Sequence, residues 1–414
     1  MPLRVLHVLD HSWPVLDGYA QRSRSIVAAQ HQLGMEPVVL TSPLHQSDDP
    51  SASDTSLDEV RYFRTRADLG ITAAAIRGRW PILRETAIVR LLQKRIESLV
   101  QREPFDVIHA HSPALCGLAA LRASRKRGLP FVYEIRSFWE DSDLSQSKSW
   151  PRKLRYKLGR GLETFVTRRA DAIVGIAQSI IGDLQSRGVS SAKLFHVPNG
   201  VDVMRFTPRP RDSALAAELG VTGIPTLGFI GTLFSWEGVA WLVRAATELH
   251  RRGEPFKLVI IGDGAEGPEV RKVIAETKSE DYVSLLGRVP NDQIERYYSV
   301  LDFLVYPRVS VRITELVTPL KPLEAMALGK AILGSGVGGI RELIEPETTG
   351  LLFEPGNIDE FCGQASRLLR QPDLRRTLGD HARERCVRER DWKIVVRRYE
   401  DVYESAIQNT RARS

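Results

Sequence analysis

The chain has 414 residues, of which 43% are hydrophobic and 26% charged, which is typical of a globular protein and excludes a disordered or fibrous one. Its length predicts two domains with one cleft between them. Lys and Arg number 58 against 51 Asp and Glu, a net charge of +7, which suits phosphates, anionic lipid surfaces or nucleic acid without choosing among them.

The start of the chain and its cysteines indicate the cellular compartment. No apolar run reaches the roughly 18 residues that span a bilayer, and Asp10 and His11 come too early for a signal peptide. We therefore expect a cytoplasmic protein. Cys116, Cys362 and Cys386 show no metal-site spacing, and their odd number argues against a disulfide framework. We interpret them as structural thiols.

The first half of the chain alternates short apolar runs with helical patterns. A strand is predicted over Arg4–Leu9, followed by a helix from about Tyr19 to Leu33. Further strands are predicted at Pro37–Leu40, Phe105–Ala110, Pro130–Ile135, Asp171–Ile176 and Lys193–Val197. Helices are predicted near 83–101, 113–127, 151–169 and 178–187. Such alternation favours a parallel, doubly wound sheet.

A second series of the same kind follows a Pro-containing loop at Pro198–Pro210. Its predicted strands are Pro225–Ile230, Lys257–Ile261, Tyr282–Leu285, Asp302–Val305, Lys330–Leu333 and Leu351–Phe353. The sequence therefore predicts an α/β protein with two Rossmann-like, doubly wound parallel-sheet domains facing a central cleft. We place them at residues 1–205 and 206–390, with residues 391–414 forming a helix that crosses back to the first domain.

Two loops after predicted strands could bind a ligand, because open parallel sheets bind ligands beyond the carboxyl ends of their strands. The loop His11–Gly18 leads into a helix, and Gly18 permits close approach to the backbone. A plain turn at a helix start is the alternative. The loop Gly231–Gly238 also follows a strand and opens a helix, where backbone amides could hold a diphosphate.

The segment Tyr306–Ala327 is the most informative part of the sequence. Arg308, Arg312 and Lys321 fall within fourteen residues on a Pro-rich loop, and Glu324 follows in the first turn of a helix. Cations and helix amides can stabilise a departing diphosphate, and a carboxylate can accept both hydroxyls of a ribose. The alternative is a solvated loop with unrelated charges.

Three other motifs are interpreted as decoys. Gly262–Gly267 matches GxGxxG but lies in the second strand-helix unit of its half. Asp141–Asp143 resembles a DxD metal motif in a polar loop. We expect His109 and His111 to lie on opposite faces of their strand without a third ligand, and we predict no metal site.

Two basic stretches are amphipathic. One surrounds Trp80 between residues 77 and 102, and the other runs from Arg152 to Arg169. They fit either a solvated helix face or contact with a membrane surface.

Several of these segments carry a family resemblance. The segments are Pro198–Asp202, Gly231–Gly238, Gly287–Pro290 with Tyr297–Tyr298, Glu324–Gly329, and Val337–Gly339 to Gly350–Phe353. Together they resemble family 4 of the retaining glycosyltransferases, which have the GT-B fold. The opening His7–Ser12 with Gly18–Tyr19, and the run Thr314–Met326, resemble the glycosyltransferases associated with exosortase A systems.

The resemblance implies roles for individual positions. The predicted donor-binding residues are Gly18, Gly231, Thr232, Arg288, Val289, Arg312, Thr318, Leu320, Leu323 and Glu324. Within this set, Gly231 and Thr232 would lie under the diphosphate, Arg288 and Val289 would border the nucleobase, and Glu324 would hold the ribose. The first domain would then be the acceptor side and the second the nucleotide-sugar-binding domain.

The chain departs from the family pattern in four places. Thr232 and Glu237 stand where the family has an Arg and a Lys for the diphosphate. Leu316 replaces the first of two spaced glutamates, with Glu315 one place out of register. Arg136 stands where the family has a sugar-facing His.

The missing cations must be replaced, since a diphosphate in a closed cleft needs countercharge. We predict Arg308, Arg312 and Lys321 as the replacements. We also predict that Arg136 contributes from the first domain and that Glu315 approaches the sugar hydroxyls.

The expected function is transfer of a sugar, with retention, from a UDP- or GDP-sugar to an acceptor hydroxyl. The resemblance implies no metal and no other cofactor, a saccharide or lipid-linked saccharide acceptor in exopolysaccharide assembly, peripheral contact with the inner membrane surface, and no nucleic acid. The alternatives are a GT-B nucleotide-sugar epimerase or hydrolase, and a non-catalytic sugar-nucleotide-binding assembly protein.

Overall fold

The structure is a computed structural model that describes residues 2–15, 17–45, 54–66, 76, 81–138 and 150–413. Two compact units make up the chain. The first unit comprises Met1–Pro198 and Trp392–Ser414, and the second comprises Asn199–Asp391. The predicted decoy Asp141–Asp143 and residues 77–80 of the first basic stretch lie outside the described residues.

The first unit is built on one large sheet with helices between its strands. Its strands are β1 (Arg4–Leu9), β2 (Glu36–Thr41), β3 (Asp54–Leu57), β4 (Val60–Arg64), β5 (Val107–His111), β6 (Phe131–Ile135), β7 (Ala172–Gly175) and β8 (Leu194–His196). Its first helices are α1 (Gly18–Gln32), α2 (Pro81–Arg102), α3 (Ala114–Arg127), α4 (Trp150–Arg169) and α5 (Gln178–Ser186). The strand order is β3-β4-β2-β1-β5-β6-β7-β8, and only the β3–β4 pair is antiparallel among the described strands.

The second unit repeats this plan with a smaller sheet. Its strands are β9 (Thr226–Ile230), β10 (Lys257–Ile261), β11 (Val283–Gly287), β12 (Phe303–Tyr306), β13 (Ala331–Ser335) and β14 (Leu351–Phe353). Its helices are α6 (Ser213–Glu218), α7 (Val239–Arg251), α8 (Gly267–Thr277), α9 (Ile294–Val300), α10 (Arg312–Leu316), α11 (Lys321–Ala327), α12 (Gly338–Arg341), α13 (Ile358–Arg370) and α14 (Pro372–Arg385). The strand order is β11-β10-β9-β12-β13-β14. The chain then returns to the first unit as α15 (Trp392–Val395) and α16 (Arg398–Arg413).

Burial explains why these strands read as continuous apolar runs. Every residue of β5, β6, β9 and β13 is buried, as expected for parallel strands covered by helices on both faces. Gly228 in β9 makes room for Leu301, because a Cβ there would lie 2.2 Å from Leu301 Cδ1 and would displace that side chain. The predicted α/β class with two Rossmann-like parallel-sheet domains is confirmed.

The boundary between the units lies at Pro198/Asn199, seven residues before the predicted one. Val201 donates its backbone N–H to the Arg390 carbonyl at 2.8 Å and bridges to Asp391. Val203 and Phe206 are buried in the core of the second unit. Residues 199–205 therefore pack with the second unit, although the sequence there reads as a loop.

The β3–β4 hairpin was not predicted from the sequence. Its turn residues Asp58 and Glu59 have φ values of 51° and 63°, which glycine or asparagine more often supplies in such turns. The strand Asp54–Leu57 is short and polar, so it lacks the apolar alternation on which strand prediction depends.

Among the described residues, no helix combines the length and apolar character that a membrane span requires.

Candidate functional site

The strand order of each sheet shows where a ligand would bind. In the second unit, successive strands extend from β9 toward β11 on one side and from β12 toward β14 on the other. The order therefore reverses between β9 and β12, and open parallel sheets bind ligands beyond the carboxyl ends of their strands at that reversal. The loops after these strands, 231–238 and 307–320, are thus the candidate site. The corresponding reversal in the first unit lies between β1 and β5.

The glycine loop 231–238 is held close to its neighbours. Gly238 has a φ of +73°, and a Cβ there would lie 2.1 Å from the Pro307 carbonyl oxygen, so no other residue fits without a shift of backbone. A Cβ at Gly262 would lie 1.8 Å from the Gly231 oxygen. The glycine of the GxGxxG decoy thus allows close packing against this loop. Within the loop, Gly231 is half-buried and Thr232 is exposed.

Arg308 is buried beside a carboxylate at the reversal point. Its Nη2 lies 3.1 Å from Glu237 Oε1, and its Nη1 donates to the Val317 carbonyl at 2.9 Å. The Arg308 side chain is only 4% exposed. The structure therefore brings the predicted replacement cation next to Glu237, which stands where the family has a Lys, so the two charges neutralise each other.

Lys321 and Glu324 form a second ion pair on the first turn of α11. Lys321 Nζ lies 2.9 Å from both carboxylate oxygens of Glu324, and the Tyr298 hydroxyl donates to Oε2 at 3.2 Å. Burial and the Glu324 charge raise the pKa of Tyr298 well above its usual range, which keeps the phenol a hydrogen-bond donor. Lys321 is about one third exposed and Glu324 is largely covered.

Glu315 holds two loops together instead of standing free. Its Oε1 accepts from Ser310 Oγ at 2.7 Å, and its Oε2 accepts from the backbone N–H of Gly338 at 2.7 Å. Gly338 and Gly339 begin α12, and a Cβ at Gly339 would lie 2.1 Å from the Val317 oxygen. These contacts favour a structural role for Glu315 over the predicted approach to sugar hydroxyls.

The remaining predicted residues of the second unit fall into two groups. Arg288 and Arg312 are exposed, and Val289 and Leu320 are half-buried. Leu323 is 1% exposed and belongs to the hydrophobic core, so it supports α11 from within. Thr318 is buried, and Asn199 Nδ2 donates to its carbonyl at 2.7 Å and to its hydroxyl at 3.1 Å.

The loop after β1 in the first unit is anchored by charged side chains. Gly18 opens α1 behind Asp17, whose carboxylate accepts from Ala20 N at 2.8 Å. His11 lies between Asp10 and Asp17, at 3.0 and 2.7 Å. Although burial opposes the charged form, the two carboxylates raise the pKa of His11 to about 9. An imidazolium therefore holds this loop at neutral pH.

Arg136 is buried in the first unit and has several internal partners. Its Nε donates to Glu134 Oε1 at 3.0 Å, and its Nη1 donates to Ser23 Oγ at 2.7 Å and to the Tyr19 carbonyl at 2.8 Å. Its Nη2 donates to His111 Nδ1 at 2.8 Å. The residue is 5% exposed. This geometry favours a structural role over the predicted phosphate contact.

Glu134 is the centre of this buried cluster and was not among the residues predicted from the sequence. Its carboxylate is fully buried and accepts hydrogen bonds from Arg22 Nε at 3.1 Å, from Arg136 and from the Tyr399 hydroxyl. Although burial opposes ionisation, Arg22 and Arg136 hold the pKa of Glu134 well below its usual range. The sequence feature that could have indicated this cluster is a glutamate inside the apolar strand Phe131–Ile135, since a buried carboxylate needs partners.

Three histidines lie next to this carboxylate, contrary to the sequence-based expectation. The rings of His109 and His111 are stacked with centroids 4.2 Å apart, and His7 on β1 brings a third imidazole. The expectation of opposite faces was wrong, because side chains two residues apart on a strand share a face.

The histidines belong to a hydrogen-bond chain whose direction can be assigned. Since a guanidinium only donates, His111 Nδ1 accepts from Arg136, and His111 Nε2 carries the proton that it donates to His7 Nδ1 at 2.9 Å. His7 Nε2 then donates to Gln30 Oε1 at 2.7 Å. Gln30 Nε2 donates to the Tyr403 hydroxyl at 2.7 Å, which donates to His109 Nδ1 at 3.0 Å. Five of the six ring nitrogens of these histidines are thus hydrogen-bonded within the protein, and the sixth, His109 Nε2, lies 3.6 Å from Glu134 Oε2.

Acid should destabilise the first unit through these histidines. Burial lowers the pKa of His7 to about 4 and that of His111 to about 3, and it holds the pKa of His109 well below its usual range. Between pH 6.5 and 4 the unfolded histidines therefore bind protons that the folded ones do not. Each contributes a loss of up to about 1.4 kcal/mol per pH unit as the pH falls. His11 is protonated in the folded state throughout this window, and its own effect fades below pH 6.5 as the unfolded histidine also becomes protonated.

Urea unfolding at pH 7.5, 6.5, 5.5 and 4.5 measures this effect. We expect the unfolding free energy to fall steeply below pH 6.5, and to fall less steeply in the His7→Gln variant. A free energy that stays constant from pH 6.5 to 4.5 would contradict neutral, buried histidines.

Comparisons with known proteins agree with this architecture. A "Glycosyl transferase 4-like domain" matches residues 17–200, and "Glycosyl transferases group 1" matches residues 224–371. The 2-deoxystreptamine glucosyltransferase of Streptomyces kanamyceticus is 27% identical over 280 residues, 66% of this chain and 70% of that protein. A GDP-mannose-dependent alpha-mannosyltransferase of Mycolicibacterium smegmatis is 27% identical over 311 residues, 73% of this chain and 74% of the relative.

Solved structures share the fold of the whole chain. The sucrose-phosphate synthase of Thermosynechococcus elongatus superimposes with a TM-score of 0.77 at 19% identity, over 97% of this chain and 98% of that one. Anabaena HepE in complex with UDP superimposes with a TM-score of 0.73 at 17% identity, over 97% of this chain and 100% of HepE. With family matches in both units and this fold, the chain is a glycosyltransferase of the GT-B fold and the family 4 type.

Proposed function

We propose that this enzyme transfers a sugar, with retention and without a metal ion, from a UDP- or GDP-sugar to an acceptor hydroxyl. The observation that carries the proposal is the placement of Arg308 and Lys321 on the loop and helix after β12, at the strand reversal of the second unit. Relatives are named for GDP-mannose as donor, and HepE is described with UDP and with UDP-glucose. These names support the choice of the two donor classes.

The chain's own residues bind the diphosphate, the nucleoside and the acceptor in this mechanism. The loop 231–238 presents backbone near the diphosphate, and Arg308, Arg312 and Lys321 stabilise the negative charge that grows on it as the glycosidic bond breaks. Glu324 holds the ribose, and the backbone of Arg288 and Val289 borders the base. The first unit binds the acceptor, and attack on the same face as the departing phosphate accounts for retention.

Donor binding would require the present ion pairs to change partners. Arg308 is paired with Glu237, and Lys321 with Glu324. A diphosphate would compete with Glu237 for the guanidinium, whose Nε is buried without a partner. Ribose hydroxyls donating to Glu324 would compete with the Lys321 ammonium. We therefore propose that both cations turn toward the phosphates when the donor binds.

The acceptor is proposed to be a lipid-linked saccharide of exopolysaccharide assembly in an exosortase A system, with the enzyme at the cytoplasmic face of the inner membrane. Exposed apolar side chains on α4 support a membrane contact: Leu158 is 64% and Phe165 42% exposed. The only acidic residue of α4 is Glu163, which is buried. A surface cavity beside Phe165 is lined by both basic and apolar side chains. Its four arginines are Arg122, Arg125, Arg169 and Arg413, and the other lining residues are Leu118, Leu121 and Phe165.

Sedimentation with lipid vesicles tests the membrane contact. The protein should sediment with vesicles containing anionic phospholipid and not with neutral ones, because basic side chains contribute attraction to anionic lipids. The variant Leu158→Ser/Phe165→Ser should bind about tenfold more weakly. Vesicle binding that is equal for both lipid types would contradict the proposal.

Product analysis tests the transferase function itself. UDP-glucose and GDP-mannose are incubated with the enzyme and a saccharide acceptor, with and without EDTA, and the released nucleotide and new anomeric signal are followed. Retention and insensitivity to EDTA are expected. Sugar release or isomerisation with donor alone would favour the hydrolase or epimerase alternative, and binding without turnover would favour the assembly protein.

A further inference from the structure

Two charged side chains at the carboxyl edge of the second unit's sheet have protein partners. Arg308 contacts Glu237 and the Val317 carbonyl. The Glu315 carboxylate accepts from Ser310 and Gly338. Glu315 is thus held by other protein groups, whereas Arg308 is one of the cations that we propose to turn toward the diphosphate.

What the loops expose at this point is an apolar surface. Phe234 is 39% exposed and Val309 is 41% exposed. The ring of Trp236 stacks on that of Phe234, with centroids 4.5 Å apart and planes inclined by 18°. We refer to Phe234, Trp236 and Val309 as the aromatic platform.

The aromatic platform is fixed by backbone contacts. Val309 N donates to the Trp236 carbonyl at 2.9 Å, which ties the loop after β12 to the loop after β9. Phe234 N donates to the Thr232 carbonyl at 3.0 Å, and a short 3₁₀ turn at Ser235–Glu237 orients the two rings. A surface held in this way loses little conformational freedom when a ligand binds to it.

Exposed large hydrophobic side chains are few in the second unit. The other large hydrophobic side chains exposed in residues 199–391 are Met204 and Val387. Neither follows the carboxyl end of a strand: Met204 lies between the units' boundary and α6, and Val387 lies in the π-helical turn Cys386–Arg390. The platform is thus the one exposed apolar group of this unit that stands where a substrate would bind.

We infer that the aromatic platform binds the glycosyl ring of the donor. A pyranose has a face of C–H bonds that packs on an aromatic ring, and a rigid aromatic side chain offers large contact area at low entropic cost. The inference rests on the proposed function, which places the diphosphate at Gly231 and Thr232. Phe234 is two residues beyond Thr232, so a sugar attached to that diphosphate lies within reach of its ring.

The contribution of the sugar to donor affinity tests this inference. Isothermal titration compares UDP with UDP-glucose and GDP with GDP-mannose for the full chain, for Phe234→Ala and for Phe234→Tyr. In Phe234→Ala, affinity for the nucleotide sugar should fall about tenfold, since a lost aromatic contact is worth on the order of 1 kcal/mol. Affinity for the free nucleotide should stay within about twofold, and Phe234→Tyr should behave like the parent enzyme.

A matched pair of valine variants controls for general loss of apolar surface. Val309→Ala should weaken nucleotide-sugar binding, whereas Val387→Ala, at a similarly exposed position, should not. Equal weakening of nucleotide and nucleotide sugar, no weakening of either, or a change confined to the acceptor KM would overturn the inference. If the parent enzyme bound neither nucleotide nor nucleotide sugar, this result would contradict the proposed function itself, and the inference that rests on it would fall with it.

Discussion

Replacing Glu134 by alanine is expected to lower the unfolding free energy by about 3–5 kcal/mol, the usual cost of removing one partner from a buried ion pair. The carboxylate is fully buried, and Arg22 and Arg136 beside it are 2% and 5% exposed. Without Glu134 both guanidiniums would keep their charge in a dry environment, because arginine does not lose its proton in proteins. The Tyr399 hydroxyl would lose its acceptor as well.

Urea unfolding at pH 7.5, followed by circular dichroism, measures this loss. The matched control is Glu36→Ala, which removes a half-exposed carboxylate that pairs with Arg4 at 2.8 Å. That variant should change stability by less than about 1 kcal/mol. If Glu134→Ala were as stable as the control, the buried cluster would not be holding the first unit together.

Replacing Arg308 by methionine is expected to lower kcat by about 10²–10³-fold, the range observed when one preorganised group that stabilises transition-state charge is removed. The side chain is buried and stands at the strand reversal of the second unit, where we propose that it replaces a family cation. Methionine keeps much of the side-chain volume, so the packing beside Val317 should change little.

In Arg308→Met, the effect of leaving Glu237 without its partner must be distinguished from the effect of losing the cation itself. The double variant Arg308→Met/Glu237→Gln removes both charges and should fold at least as well as the single variant while remaining slow. Arg244→Met is the matched control, because Arg244 forms an exposed pair with Glu269 at 3.6 Å in the same unit. Full turnover in the double variant would contradict a role for Arg308 on the diphosphate.

The parallel sheets could be predicted because burial on both faces leaves a direct trace in the sequence. Strands such as Val107–His111 and Thr226–Ile230 are short runs bounded by turns, and helices such as Val239–Arg251 and Ile358–Arg370 have one apolar face. The hairpin Asp54–Leu57 with Val60–Arg64 leaves no such trace, since it lies at the sheet edge and its turn lacks glycine.

The donor loops could also be located from the sequence, but their pairings could not. Arg308 was singled out by its position on a Pro-rich loop after a strand. Its partner Glu237 is 71 positions away in the numbering, and only the neighbouring placement of β9 and β12 brings the two together. Charge pattern along the chain carries no information about such a contact.

The buried cluster of the first unit shows the same limit more strongly. Gln30 and Tyr403 are 373 residues apart in the chain and hydrogen-bonded at 2.7 Å. The contact exists because α16 packs on the strands of the first unit after the chain has completed the second. A sequence pattern could indicate that Glu134 needed partners, but it could not name Arg22, Tyr399 and the histidines.

Isothermal titration of the enzyme with UDP and with GDP, in the presence of EDTA and with Arg308→Met and Lys321→Ala as variants, tests the central claim most directly. A metal-free donor site built on these cations predicts that one nucleotide binds, that EDTA leaves the affinity unchanged, and that both variants weaken it about tenfold or more. If neither UDP nor GDP bound, or if EDTA abolished the binding, the metal-free donor site would be contradicted.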